Sequence, residues 1–367
     1  MRMKIAIILG AGASASEGAP LQSGLFRDYF RFVRDLRTNG DRMRDDLSSF
    51  FQLIFNIDVF ADNLDDIQFP TFEETLGILD LAERRRESMK YFDLENIQRR
   101  FSYLRVIRQH LVFLMAKVIH DSLQSSMGHH KRLVDNLAAN DLLRNTIFVS
   151  TNYDILIDNA LVSLFPRYSL DYGVDFTNFG KRNDWKRPTK KAILLYKIHG
   201  SLNWLCCPTC NTLTLTPKEK GVIRVLTEGS TCQTCDSVIV PIIVPPTYYK
   251  DMSNAFLSMI WHKAEQSLSQ VEHVFICGYS FPDADMHVKY LLKRIQTNRT
   301  RPLSFTVFNH HRGKSEQQTA DEKQRFTRFL GSRVDFTRRS FEEFASSPMQ
   351  YIPPAHRHIT RRTKTRS

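Results

Sequence analysis

Nowhere does the 367-residue sequence hold an apolar run of the roughly 18 residues that a membrane-crossing helix needs, so no transmembrane segment is expected. It has no internal repeat, the mark of stacked-unit architectures. Cysteine is scarce, six in all, and four of the six fall in two close pairs, which speaks for metal ligation and against a disulfide framework. Acidic residues are in deficit, 39 against 51 Lys and Arg, a net charge of +12. The arginines cluster at Arg84-Arg85-Arg86, at Arg99-Arg100 and near the C-terminus. Two accounts of this charge stay open: a solvated basic surface with a frayed tail, or an anionic partner such as nucleic acid or a pyrophosphate-bearing nucleotide.

What is present suffices for a large core. At 42% apolar content the chain can fold as one large α/β domain with an insertion, or as two domains. It opens with a short apolar run, Lys4 to Leu9, followed by "GAGASASEGAP". Arg2 and Lys4 before that run, and Ala13-Ser14-Ala15 after it, have the layout of a secretory leader, but the apolar run is short for one. The alternative is a buried strand, a tight turn at Gly10-Ala11-Gly12, and a helix beginning over Ser14 to Glu17 whose free N–H groups face an anion. Gly10, Gly12 and Ala15 fit the dinucleotide-binding spacing G-x-G-x-x-A. The acidic residue expected to close a second strand about 20 residues on is missing, which disfavours an ordinary dehydrogenase.

From about Gly24 to Asn140 the sequence turns charged and helical in period, with few glycines. Thr71 and Glu74 form a capping-box pattern before one helical run. Strand-like runs return at Thr146 to Ser150, Ala192 to Ile198, Val238 to Val244, His273 to Cys277, Leu303 to Asn309 and Val334 to Thr337. They alternate with helical stretches such as Asp285 to Gln296 and Ser340 to Ser346, the pattern of a mostly parallel sheet. The expected fold is α/β, a Rossmann-like mostly parallel sheet with a helical insertion and a small zinc ribbon. Residues 1–23 and 141–350 would form the sheet domain, 24–140 the insertion, 206–236 the ribbon and 351–367 a basic disordered tail.

Cys207-Pro-Thr-Cys210 and Cys232-Gln-Thr-Cys235 are two matched knuckles. Four thiolates close a tetrahedral zinc site with no open position, so zinc here is expected to be structural. Cys206 is a spare neighbour able to replace Cys207. Cys277, at a strand end, reads as a small buried apolar residue.

Two further stretches fall just past predicted strand ends, where a doubly wound sheet presents its ligands. They are "FVSTNYD", with Asn152 and Asp154, and "LYKIHGSLNW", with His199. Asp154 can also simply cap the next helix, and His199 can fill a turn. Converging on one crevice with the glycine turn, an amide can position a water or ribose hydroxyl, a carboxylate can stabilise positive charge and an imidazole can act as base. Those roles suit cleavage of a glycosidic bond to a cationic leaving group.

The order of these motifs resembles the sirtuin family. Family members carry G-A-G-x-S closely followed by G-x-P, matched by Gly10 to Ser14 with Gly18 and Pro20; an N-x-D matched by Asn152 and Asp154; and a catalytic His-Gly matched by His199 and Gly200. A four-cysteine zinc ribbon follows. Gly278 and Ser280 resemble the family G-x-S loop near the cofactor ribose and phosphate, and Asn309 resembles the Asn near the adenosine ribose. The resemblance thus implies NAD bound by Gly10, Ala11, Gly12, Ser14, Gly278, Ser280 and Asn309. Where protein deacylases continue with D-F-R, however, this chain reads Leu21-Gln22-Ser23. Where they place an F-G-E-type strand for the acylated peptide, it reads Val244-Pro245-Pro246-Thr247-Tyr248. It looks like the sirtuin-like proteins of prokaryotic anti-phage systems. That likeness implies a cytoplasmic NAD glycohydrolase, restrained by homo-oligomerisation or a defence-system partner protein. A deacylase or ADP-ribosyl transferase, and a non-catalytic nucleotide sensor presenting its basic insertion to nucleic acid, are the alternatives.

Overall fold

Ile5–Leu9 form β1, and all five side chains are buried. A strand apolar on both faces needs a neighbour on each edge and cover on each face, and β1 has both at the centre of the sheet. The computed structural model describes residues 3–21, 24–35, 42–87, 89, 97–123, 126–178, 188, 192–216, 231–244, 254–283 and 285–352. After β1 come α1 (Ala11–Ala15), α2 (Leu25–Asp35), α3 (Arg42–Phe55), α4 (Phe72–Arg85), α5 (Ile97–Ser122) and α6 (His129–Ala139). Then follow β2 (Thr146–Ser150), α7 (Leu156–Val162), β3 (Ser169–Asp171), β4 (Thr177–Asn178), β5 (Ala192–Lys197), β6 (Gly200–Cys206), β7 (Leu213–Leu215) and β8 (Val240–Ile243). The chain continues with α8 (Ala255–Leu268), β9 (His273–Cys277), α9 (Met286–Thr297), β10 (Ser304–Phe308), α10 (Glu316–Leu330), β11 (Val334–Thr337) and α11 (Phe341–Ser346).

Seven strands form one sheet in the order β11-β10-β9-β1-β2-β5-β3, and every pairing in it is parallel. The chain leaves β1 toward β2 on one side and returns to β9 on the other. The crevice beyond the C-terminal ends of β1 and β9 is therefore a topological switch point, the place where such sheets bind ligands. The fold is α/β, as the alternating pattern predicts. The strand at 238–244 departs from that reading. It is β8, pairs antiparallel with β6, and belongs to a second sheet ordered β4-β7-β6-β8. The parallel sheet therefore does not include it.

The opening stretch is the middle of the fold, so removing it as a leader would take out the central strand. Its helix starts earlier than Ser14. Gly10 is the extended N-cap and α1 runs over Ala11–Ala15, because the Ala13 N–H closes on the Gly10 carbonyl at 2.9 Å.

α2, α3 and α4 pack on α5 around their own apolar core. Phe26, Phe30, Phe51 and Phe69 form its aromatic centre, with the Phe26–Phe51 ring centroids 4.7 Å apart. The capping box at α4 is formed on both sides, Glu74 N–H to Thr71 Oγ1 at 3.1 Å and Thr71 N–H to Glu74 Oε2 at 2.7 Å. α6 behaves differently from the rest of the 24–140 stretch: Leu133, Val134 and Leu137 pack into the core of the parallel sheet. At the other end Ile352 is also buried in that core. The expected tail, 353–367, lies outside the described residues, as do Gln22, Ser23 and Pro245 to Tyr248.

One buried carboxylate ties the opening loop to α6. Glu17 accepts from Ser126 Oγ, the Gly128 N–H and the His130 N–H, each at 2.7 Å, and from His130 Nδ1 at 2.9 Å. Burial alone would raise its carboxyl, but the bonds from His130 and Ser126 outweigh it and hold it down from 4.5 to about 2. A depressed carboxyl contributes stability above its unfolded value and loses it as pH falls toward the folded one. Glu17→Gln is therefore expected to cost on the order of 3 kcal/mol at neutral pH. That deficit should shrink between pH 4.5 and about 2. Urea melts of both proteins across that range check this, and a deficit that stays constant with pH would contradict it.

Candidate active site

At the switch point the loops after β1 and β9 interlock. The Gly10 N–H donates to Cys277 O at 2.9 Å and the Gly12 N–H to Gly278 O at 2.7 Å. Gly278 sits at φ +61°, where a Cβ would lie 2.0 Å from Ala13 N and 2.4 Å from the Gly12 carbonyl carbon. Only glycine fits there. A Cβ on Gly12 would meet the Gly278 backbone at 2.9 Å. Closure of the two protein loops by itself demands glycine at 12. With the Gly10, Gly12 and Ala13 N–H groups bonded inside the protein, much of the row of free N–H donors expected from the sequence is already spent.

Across from this knot, β2 ends in the loop carrying Asn152 and Asp154. Asn152 Nδ2 donates to Gly10 O at 2.8 Å and to Ser14 Oγ at 2.7 Å, and Ser14 Oγ donates in turn to Asp154 Oδ2 at 2.6 Å. A hydroxyl has one proton, so Ser14 directs it to Asp154 and not to a phosphate. Both amide protons of Asn152 are engaged, which leaves Oδ1 as its polar atom for any ligand. Asp154 Oδ1 also accepts from the N–H of Leu156, the first residue of α7, at 3.0 Å. The capping role and the cleft-facing role thus fall on one side chain.

His199 follows β5 and is 3% exposed. Its Nδ1 lies 3.3 Å from Thr151 O. A carbonyl only accepts, so Nδ1 carries the proton in this contact and Nε2 keeps the lone pair a base needs. The Trp261 indole donates to Ile198 O at 2.9 Å and steadies the preceding peptide. Gly200, at φ +84°, passes so close to β8 that a Cβ would sit 2.1 Å from Ile242 O.

Ala11, Gly12, Ser14, Asn152, Asp154, His199, Gly278, Ser280 and Asn309 all line one cleft of about 380 Å³. Gly10 does not; it stands behind, as the acceptor for Asn152. At the far end Asn309 Nδ2 donates to Tyr279 O at 3.0 Å and to Glu322 Oε1 at 2.5 Å. Asn309 Oδ1 is buried without a partner. Glu322, 1% exposed, also takes Lys314 Nζ at 2.5 Å. Glu322 thus reaches the cleft from α10, with no spacing signal to announce it. The sequence reading also missed the apolar wall, Leu25, Phe72, Met115 and Ile119 from the helical unit. Apolar residues at helical spacing look like core whether or not they also face a cavity.

The cysteines form a separate centre. The four sulfur atoms of Cys207, Cys210, Cys232 and Cys235 lie within 4.8 Å of one another. The 207–235 and 210–232 pairs are 3.4 and 3.5 Å apart, near the roughly 3.8 Å edge of a tetrahedron with 2.3 Å zinc–sulfur bonds. The two knuckles repeat each other. Asn211 N–H returns to Cys207 O at 2.9 Å and Asp236 N–H to Cys232 O at 2.8 Å, and both residues take positive φ. The donor set fits zinc. Cys206 ends β6, packs into the core of the parallel sheet and stands outside the cluster. Cys277 is fully buried, and burial pushes its thiol up, which suits a packing residue.

Among the described residues no helix is long and apolar enough to cross a membrane. Among solved structures, the chain is similar to a Sir2 mutant with a p53 peptide and NAD, at 13% identity and TM-score 0.43, covering 95% of this chain and 92% of that one. It is also similar to a Sir2 complex with an inhibitor, 2'-O-acetyl-ADP-ribose and a deacetylated p53 peptide, at 12% identity and TM-score 0.39, covering 95% and 93%. No curated protein matches significantly in sequence. The SIR2-like domain family model matches residues 146–329, half of the chain, a span that holds Asn152, Asp154, His199, the four cysteines and the loop after β9. The chain belongs to the SIR2-like family.

Proposed function

We propose that the cleft binds NAD and hydrolyses its bond to nicotinamide, releasing nicotinamide and ADP-ribose. The observation that carries this reading is the convergence of Asp154 and His199, from two adjacent strand ends, on a cleft that runs past the glycine knot to Asn309. Nicotinamide leaves NAD as a neutral base from a cationic ring, so the departing nitrogen needs no acid. The glycosidic electron pair passes to that nitrogen, and positive charge develops on the ribose carbon. The Asp154 carboxylate, fixed by Ser14 and the Leu156 N–H, stabilises that charge from a preset position. Water attacks the carbon and gives its proton to His199 Nε2. Asn152 Oδ1 accepts from the water or from a ribose hydroxyl. At the far end Asn309 Oδ1, with Glu322 behind it, accepts from the adenosine ribose, and Lys314, held by Glu322, lines the same end of the cleft.

Zinc, held by Cys207, Cys210, Cys232 and Cys235, has no open position and stays out of the reaction. The motif resemblance to the sirtuin-like proteins of anti-phage systems supports a defence role, and because uncontrolled hydrolysis would exhaust cellular NAD, we infer restraint by self-assembly or by a partner protein. Incubating purified protein with NAD, with and without an acetyl-lysine peptide, tests the acceptor. Nicotinamide release unaffected by peptide is expected. Release that requires peptide would make it a deacylase, and NAD binding without release would make it a sensor.

A further inference from the structure

Lys197 ends β5, two residues before His199, and is 0% exposed. A buried ammonium is costly unless it is paired and hydrogen-bonded. Its Nζ lies 3.1 Å from Asp158 Oδ2 and donates to the backbone carbonyl of Asp154. Asp158, 2% exposed on α7, accepts from the Tyr172 hydroxyl through Oδ1 at 2.6 Å. Tyr172 stands edge-on to Trp204 of β6. Burial and the Asp158 charge hold its phenol well above the ordinary range, so it remains a neutral donor.

Packing does not account for this arrangement, since apolar residues of similar volume commonly replace a buried ion pair with no loss of stability. Its geometry does have a consequence for the cleft. Lys197 grips the carbonyl of Asp154 from behind, while Ser14 and the Leu156 N–H hold the carboxylate in front. The same Lys197 belongs to the strand that delivers His199. We propose that Lys197 and Asp158 are a buried positioning pair that locks the Asp154 loop to the His199 strand, holding carboxylate and imidazole in one mutual geometry. The effect on turnover rests on the NAD-hydrolase reading; the locking of the loop does not.

Lys197→Met alone strands the Asp158 charge in the core, so the informative protein is Lys197→Met with Asp158→Leu. Should it fail to fold, Lys197→Met with Asp158→Asn keeps the volume and an acceptor for Tyr172 and carries the same test. Tyr172→Phe is the control that weakens the network without touching Asp154. Hydrogen exchange of the peptide spanning 151–156 and steady-state NAD cleavage are measured on each. In the double variant we expect exchange in 151–156 to accelerate by about tenfold or more while β1 and β9 stay protected. With it, kcat should fall about 10- to 100-fold and KM should stay within about threefold. Tyr172→Phe should melt earlier with kcat unchanged. Wild-type exchange in the double variant overturns the locking, whatever its rate. Faster exchange with wild-type kcat overturns the link to catalysis. If the unmodified protein releases no nicotinamide, the hydrolase reading fails, and the exchange arm still decides whether the pair locks the loop.

Discussion

Replacing His199 with alanine is expected to slow nicotinamide release by about 10²- to 10⁴-fold, the range a general base supplies. The expectation follows from where the ring is held. Thr151 O takes Nδ1, the Trp261 indole fixes the peptide before the residue, and Gly200 after it closes on β8. The ring lines the cleft, and Nε2 is the atom proposed to take the proton. His199→Gln separates the chemistry from the packing. Its amide can keep a bond to Thr151 O and most of the volume, yet it cannot take a proton at neutral pH, so it should be as inactive as alanine while melting near the wild type. Chromatographic rates of nicotinamide release decide this, and near-wild-type rates in both variants would remove His199 from the mechanism.

Loss of the metal should have the largest effect on stability. Elemental analysis is expected to find one zinc per chain, and structural thiolate sites contribute folding energy on the order of 10 kcal/mol. Chelation under reducing conditions, or Cys232→Ser, should therefore lower the melting temperature more than any substitution in the cleft. The cluster sits in its own small core with Leu202, Leu205 and Ile239, and Tyr153 packs against both this core and that of the helical unit. Tyr153 lies between Asn152 and Asp154, and its hydroxyl donates to Val244 O at 2.7 Å. Damage should accordingly reach the cleft only after the ribbon loosens. Metal-free protein from a chelator-free, reducing purification would refute the site.

Sequence alone disclosed the features whose cause is local. β1 is a continuous apolar run, β2, β9 and β10 are short runs rich in apolar and β-branched residues, the Thr71–Glu74 box has a fixed spacing, and each knuckle encodes its own turn. Asn152, Asp154 and His199 were legible because parallel sheets expose their strand ends on one edge. Hidden features depend on pairings between distant segments. Gly12 is needed because Gly278, far along the chain, passes beneath it. Lys197 is one polar residue in an apolar strand, and only folding brings Asp158 to it. Glu322 holds Asn309 from a helix with no motif, and β8 lies outside the parallel sheet because it pairs with β6. α6 shares its helical period with the insertion, but its apolar face meets the sheet.

The central claim is that this cleft transfers the ribosyl carbon of NAD to water. A proton NMR time course of NAD with the purified wild-type protein, with no peptide added, tests it most directly by following substrate and both products in one tube. The account predicts nicotinamide and ADP-ribose appearing in equal amounts as NAD declines. An unchanged NAD spectrum, or nicotinamide appearing without matching free ADP-ribose, would contradict it.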